Sequence, residues 1–124
     1  MLDASLRQIV TTASDQFKPY GRYGDPVTGM SWIPLSGELL NGAFECFLLR
    51  MDAGAQSNPH EHTGFEEFLV LDGTLVDCDG QCFNSGDFVR FLSGSKHSSH
   101  SPDGCTMLVM LSGNNRSLRA DELE

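Results

Sequence analysis

The spacing of apolar positions changes early in the chain. Near the start, Leu2, Leu6, Ile9 and Ala13 recur at helix-like intervals, which predicts a short helix, and the Pro/Gly/Tyr-rich stretch KPYGRYGDP follows. From residue 30 onward the pattern becomes short runs of β-branched, aromatic and aliphatic residues: MSWIPL, AFECFLLRM, EFLVL, TLVDC, QCF, DFVRF and CTMLVML. Such runs read as strands, because branched and aromatic side chains pack well on a pleated surface. Asp72-Gly73, Asp79-Gly80, Ser85-Gly86, Ser93-Gly94, Asp103-Gly104 and Ser112-Gly113 punctuate them and are expected to form the turns of a meandering sandwich or barrel. No long helical period separates the runs, so a parallel sheet with crossover helices is not expected. The pattern predicts one all-β domain over 1–124, with its core at about residues 30–112 and an irregular N-terminal segment.

Composition narrows the function classes. A chain of 124 residues can fold on one core without covalent staples. Its net charge of −9, with only 8 Lys and Arg, argues against nucleic acid as a partner, because affinity for phosphate backbones comes from basic side chains displacing counterions. The apolar runs fall far short of the roughly 20 residues of a membrane span, and Asp3 and Arg7 interrupt the stretch a signal peptide would need. A cytoplasmic protein with no membrane partner is expected. Cys46, Cys78, Cys82 and Cys105 form no CxxC and are expected to be reduced thiols. Cys78 and Cys82 flank a turn. A three-residue loop would set their sulfurs opposite each other, whereas a two-residue Asp-Gly loop would pair Cys78 with Gln81.

The chemistry concentrates in NPHEHTGFEEFLVLDG, residues 58 to 73. Side chains alternate faces along a strand, so His60 and His62 point the same way, close enough to grip one ion. Glu66 has the same parity. His97, after the turn Ser93-Gly94-Ser95, is the candidate from elsewhere that would complete a four-ligand site. Glu67 has the opposite parity and reads as a solvated bystander. His100 is off parity with His97 and reads as a surface residue, or else as a group behind the ligands or an acid/base near a substrate. The wall of any pocket should come from residues on the ligands' face: Phe68 and Val70 by parity, with Phe47, Leu49, Phe88, Met107 and Val109 from neighbouring strands. The same side chains could equally be plain filling of the interior.

These residues resemble the cupin superfamily, whose first motif is G(x)5HxH(x)3-4E(x)6G. Gly54, His60, His62, Glu66 and Gly73 meet its fixed positions. The second motif, G(x)5PxG(x)2H(x)3N, is met by Gly86, Gly94 and His97, with Leu92 in place of the proline and Ser101 in place of the asparagine. Within cupins, HEHTGFEEFLVLDGTLVD and GDFVRFLSGSKHSSHSPDGCTMLVML look most like the ChrR-type group. That group includes the C-terminal domain of ChrR anti-sigma factors and small relatives similar to acetylacetone or dihydroxyacetophenone dioxygenases. The resemblance implies a double-stranded β-helix (jelly roll) and one divalent transition metal ion per chain, Zn or Fe(II), with Ni or Mn as alternatives, held by His60, His62, Glu66 and His97. It implies a metal-dependent, dioxygenase-like oxidoreductase acting on a small organic molecule such as a diketone or hydroxyaryl ketone. The alternative is a non-catalytic zinc-binding sensor or regulatory module of the ChrR type. The residues before the β region contain no His or Cys, so the zinc-binding N-terminal cluster of ChrR proteins has no counterpart there. Trp32-Ile33-Pro34-Leu35 is expected on an edge strand, and a bare apolar edge implies a homodimer.

Overall fold

The computed structural model describes residues 1–36 and 44–123. Among the described residues, eleven strands carry the fold: β1 (Lys18–Pro19), β2 (Met30–Ser36), β3 (Glu45–Met51), β4 (His60–His62), β5 (Glu66–Asp77), β6 (Cys82–Asn84), β7 (Phe88–Phe91), β8 (Lys96–His97), β9 (Ser99–His100), β10 (Cys105–Leu111) and β11 (Asn115–Ser117). The larger sheet has the order β1-β2-β3-β10-β5-β6, with β7 and β9 also pairing with β5, and the smaller has the order β11-β4-β8. Among the described residues every strand pair is antiparallel, and the two sheets form the jelly-roll arrangement without closing into a barrel.

Alternation along the central strands builds the core. Phe47, Leu49 and Met51 of β3, Phe68 and Val70 of β5, and Cys105, Met107, Val109 and Leu111 of β10 are all buried. Register brings them together, with Phe47 and Phe68 both opposite Val109, and Leu49 and Val70 both opposite Met107. Ser101, in the position of the motif asparagine, is fully buried and donates its hydroxyl to the Thr74 carbonyl at 2.7 Å.

Asp72-Gly73 is not the turn its sequence suggests, and the runs EFLVL and TLVDC form one continuous strand, β5. The dipeptide marks a bulge instead. Val70 pairs with Met107 and Asp72 with Thr106, which leaves Leu71 as an extra residue. An extra residue reverses the inward parity, so the buried positions shift from 68 and 70 to 75 and 77. Gly73 has φ +80, and a Cβ there would stand 2.0 Å from the Gly104 carbonyl oxygen, so only glycine fits this crossing.

The helix expected over Leu2 to Ala13 does not form. The segment holds two isolated 3-10 turns, Ala4–Leu6 and Ser14–Gln16, with Leu2, Leu6 and Ile9 exposed. Spacing alone is a weak warrant when so short a helix has no surface to pack on. The irregular stretch after it does pack: Tyr20 makes edge contact with Trp32 at 5.2 Å, and Trp32 with Phe47 at 5.3 Å. The four cysteines are free thiols. Val76 pairs with Cys82, and the Asp77 N–H donates to the Gln81 carbonyl. Neither expected register of the Cys78 and Cys82 turn is therefore the one adopted.

Candidate metal centre

Three histidines converge between the two sheets. His60 and His62 lie on β4, the middle strand of the smaller sheet, and His97 lies on β8 directly opposite His60. One ring nitrogen from each lies within 4.8 Å of the other two. The Nε2 atoms of His62 and His97 are 3.0 Å apart. Both residues are buried, and Phe91 closes the far side, stacking on the His62 ring at 5.5 Å and lying 4.3 Å from the His97 ring.

The opposite ring nitrogens are all anchored. His60 Nδ1 lies 2.8 Å from the Asn58 carbonyl oxygen, His62 Nδ1 3.1 Å from Asn115 Oδ1, and His97 Nδ1 2.7 Å from Asp77 Oδ1. Each partner is an acceptor, so each Nδ1 carries the proton and each Nε2 presents a lone pair. Two lone pairs facing each other at 3.0 Å repel unless a proton or a cation sits between them. A proton on His62 is disfavoured, because burial first, then the neighbouring imidazoles, lowers it to about 4; burial likewise lowers the third ring, His60, to about 4. A divalent ion with bonds of about 2.0–2.1 Å to each nitrogen suits the same geometry. The donor set therefore fits a borderline transition metal.

Glu66 stands back from the trio. Its Oε2 is 3.5 Å from Nδ1 of His62, and burial pushes its carboxyl up to about 7. This gives a pH signature for chelator-treated protein. A carboxyl raised from 4.5 to about 7 by folding stabilises the fold below pH 4.5, and that stability is lost as pH rises through 7. His60 and His62, lowered from 6.5 to about 4, act oppositely, their contribution being lost as pH falls through 4. Relative to wild type, a Glu66→Gln protein is expected to gain melting temperature steadily between pH 5 and 7. Parallel melting curves for the two proteins across that window would contradict the upward push of burial on the Glu66 carboxyl.

A cavity of about 190 Å³ adjoins the histidines, and His60, His97 and Glu66 form part of its wall. Phe47, Leu49, Phe68, Met107 and Val109 line it as parity suggests. Two candidates lie elsewhere. Val70 is buried in the core but outside the lining, and Phe88 is 53 % exposed. On β7 the inward side chains are Val89 and Phe91, and Phe91 packs on the histidine rings rather than in the cavity wall, so β7 supplies none of the lining. Glu67 pairs with Arg90 at 2.6 Å, away from the trio. His100 is exposed and sits opposite Val76 on β9. Sequence reasoning missed Asp77, whose parity the bulge reverses, and Asn115, which reaches His62 from a strand of only three residues.

The profile of the ChrR cupin-like domain matches residues 7–114. Over 59 residues the chain is 41% identical to the HTH-type transcriptional regulator SutR of Escherichia coli (strain K12), an alignment covering 44% of this chain and 33% of that regulator, so the chain spans about a third of the relative it matches. The structure of an acetylacetone dioxygenase from Acinetobacter johnsonii superposes with TM-score 0.79 and 15% identity, over 93% of this chain and 80% of that one. Rhodobacter sphaeroides SigE in complex with the anti-sigma ChrR superposes with TM-score 0.63 and 22% identity, over 78% of this chain and 48% of that one. At these identities the structural likenesses establish the jelly-roll fold.

Proposed function

Starting from the fact that this chain belongs to the ChrR cupin-like family, we propose that it holds one divalent transition metal ion through His60, His62 and His97, with Glu66 as the oxygen donor. In this reading it acts as a dioxygenase-like oxidoreductase, with a diketone or hydroxyaryl ketone as the small-molecule substrate. It works as a homodimer in the cytoplasm, with Fe(II) as the reactive metal and Zn, Ni or Mn as competitors for the same site.

The observation that carries this reading is the shared wall: His60, His97 and Glu66 belong both to the cation-binding group or its rim and to the apolar cavity. A small molecule there would lie against the ion. A purely structural zinc site keeps four protein ligands closed around the metal, whereas a catalytic one keeps a position open. When bound, the ion would supply Lewis acidity and a docking point for a chelating oxygen pair. The protein's own part is to hold the three imidazoles in one tautomer and to surround the ligand with Phe47, Phe68 and Val109, which exclude water.

The test is anaerobic loading with Fe(II), followed by oxygen-electrode assays with β-diketones and hydroxyaryl ketones. Oxygen uptake that needs both metal and substrate is expected. Tight stoichiometric zinc with no exchangeable water, and no uptake with any metal, would instead assign the domain to the sensor class.

A further inference from the structure

Four wall residues of the cavity beside the histidines are exposed and mark where it meets the surface: Tyr23 and Asp25 from the stretch between β1 and β2, Asn58 from the turn before β4, and Ser117 of β11. Two sides of this mouth are tied into the sheets. Ser117 pairs with His60, the Leu118 N–H donates to the Pro59 carbonyl at 3.0 Å, and the Ser57 N–H donates to the Ser99 carbonyl at 2.8 Å. The third side, residues 21–26, belongs to no strand.

That side is a strap closed at its root, where the Val27 N–H donates to the Tyr20 carbonyl at 3.1 Å. Arg22 anchors the root, with a side chain only 6% exposed whose Nε donates to Glu45 Oε2 at 2.6 Å. Beyond Arg22 the tip, Tyr23 through Pro26, is exposed. Glycine shapes its turn: Gly24 has φ +123, its N–H donates to the Gly21 carbonyl at 3.2 Å, and a Cβ on Gly21 would stand 2.9 Å from the Gly24 carbonyl oxygen. Among the described residues, one hydrogen bond crosses the mouth to hold this tip, from the Asn115 N–H to the Tyr23 hydroxyl at 3.2 Å. An exposed segment with so few ties opens at low free-energy cost, whereas the paired strands around it do not.

We propose that residues 23–26 are a door over the cavity and that the Tyr23 hydroxyl is its latch, so that a small organic ligand enters and leaves when the bond to Asn115 breaks. The latch closes on the residue whose side chain orients His62, which sets the door against the metal-facing strands. The inference rests on the cavity being the ligand site next to the histidines, and it adds control of access to that site.

Tyr23→Phe removes the latch alone. The lost bond is at the surface, so no polar group is left buried, and the contact of Asn115 Oδ1 with His62 is kept. Acetylacetone is mixed with the full chain loaded with Co(II), and stopped-flow absorption of the cobalt bands gives its association and dissociation rates. Loss of one neutral hydrogen bond should raise both rates about 3- to 10-fold. Their ratio, the Kd, should stay within about twofold, because a latch equally absent from free and bound protein changes access and not affinity. A site that is merely loosened would instead lose affinity through faster dissociation. Unchanged rates in the folded variant, or a rise confined to dissociation, overturns the door. Acetylacetone that leaves the wild-type cobalt bands unmoved strikes the metal and substrate reading instead, and fluorobenzene then decides, since an apolar cavity takes up such a ring without any metal. Its exchange rate with metal-free protein, read by fluorine NMR, should rise in Tyr23→Phe by the same factor. An equal exchange rate in the two proteins, or entry of neither probe, overturns the door as well.

Discussion

Zinc or cobalt binds His97→Ala and His62→Ala proteins at least about 100-fold more weakly than wild type, taking each ligand as a quarter to a third of the ~10–16 kcal/mol typical of a protein zinc site. The large effect follows from the arrangement of the trio. The Nε2 atoms of His62 and His97 stand 3.0 Å apart, while a hydrogen bond to Asn115 or Asp77 fixes each ring from behind. Neither ring can turn to cover for the loss of the other. Both residues are buried, so circular dichroism must first show that the variants fold. The half-buried His60 offers a milder third substitution, His60→Ala, with the same expected direction. The exposed His100 is the control, and His100→Ala should bind metal as wild type does. Stoichiometric metal retained in the folded His97→Ala protein would remove the proposed centre altogether.

How much of this could be read from residues alone differs between the fold and the site. The strands could be read because their alternation is strict: β3 and β10 bury every second residue, and the runs ECFLLRM and CTMLVML show it directly. The histidines could be read because a two-residue repeat puts His60 and His62 on one face, and the motif spacing pointed to His97. What orients them could not. Asp77 lies beyond the bulge at Leu71, and parity counted from Glu66 puts it outside when it is in fact buried. Asn115 and Arg22 come from segments without periodic pattern, where position depends on long-range packing that a local reading does not reach. The outward face of Phe88 has a simpler cause: the direction a strand faces is set by its partner, and β7 takes its register from β5.

Asp77→Asn is expected to weaken metal binding by about 10- to 100-fold, the usual effect of losing a partner behind a ligating histidine. The carboxylate of Asp77 is buried and 2.7 Å from Nδ1 of His97. Being acceptor-only when ionised, it admits a single tautomer, with the proton on Nδ1 and the lone pair of Nε2 turned toward His62. Its negative charge also makes the ring a stronger donor to a cation. An asparagine has nearly the same shape, so the packing around His97 is kept and the substitution tests chemistry rather than volume. Its amide can present either its oxygen or its NH2. The NH2 form would require Nδ1 to accept, which moves the ring proton onto Nε2 and blocks the metal-facing position. Weaker binding is therefore expected together with unchanged stoichiometry once metal is saturating, which separates orientation from loss of a ligand. Competition against a chelator measures the affinity, and the cobalt spectrum at saturation reports whether the coordination is the same. Wild-type affinity in Asp77→Asn would mean that the strand pairing of His60 with His97 alone fixes the ring, and that the buried carboxylate serves only the fold.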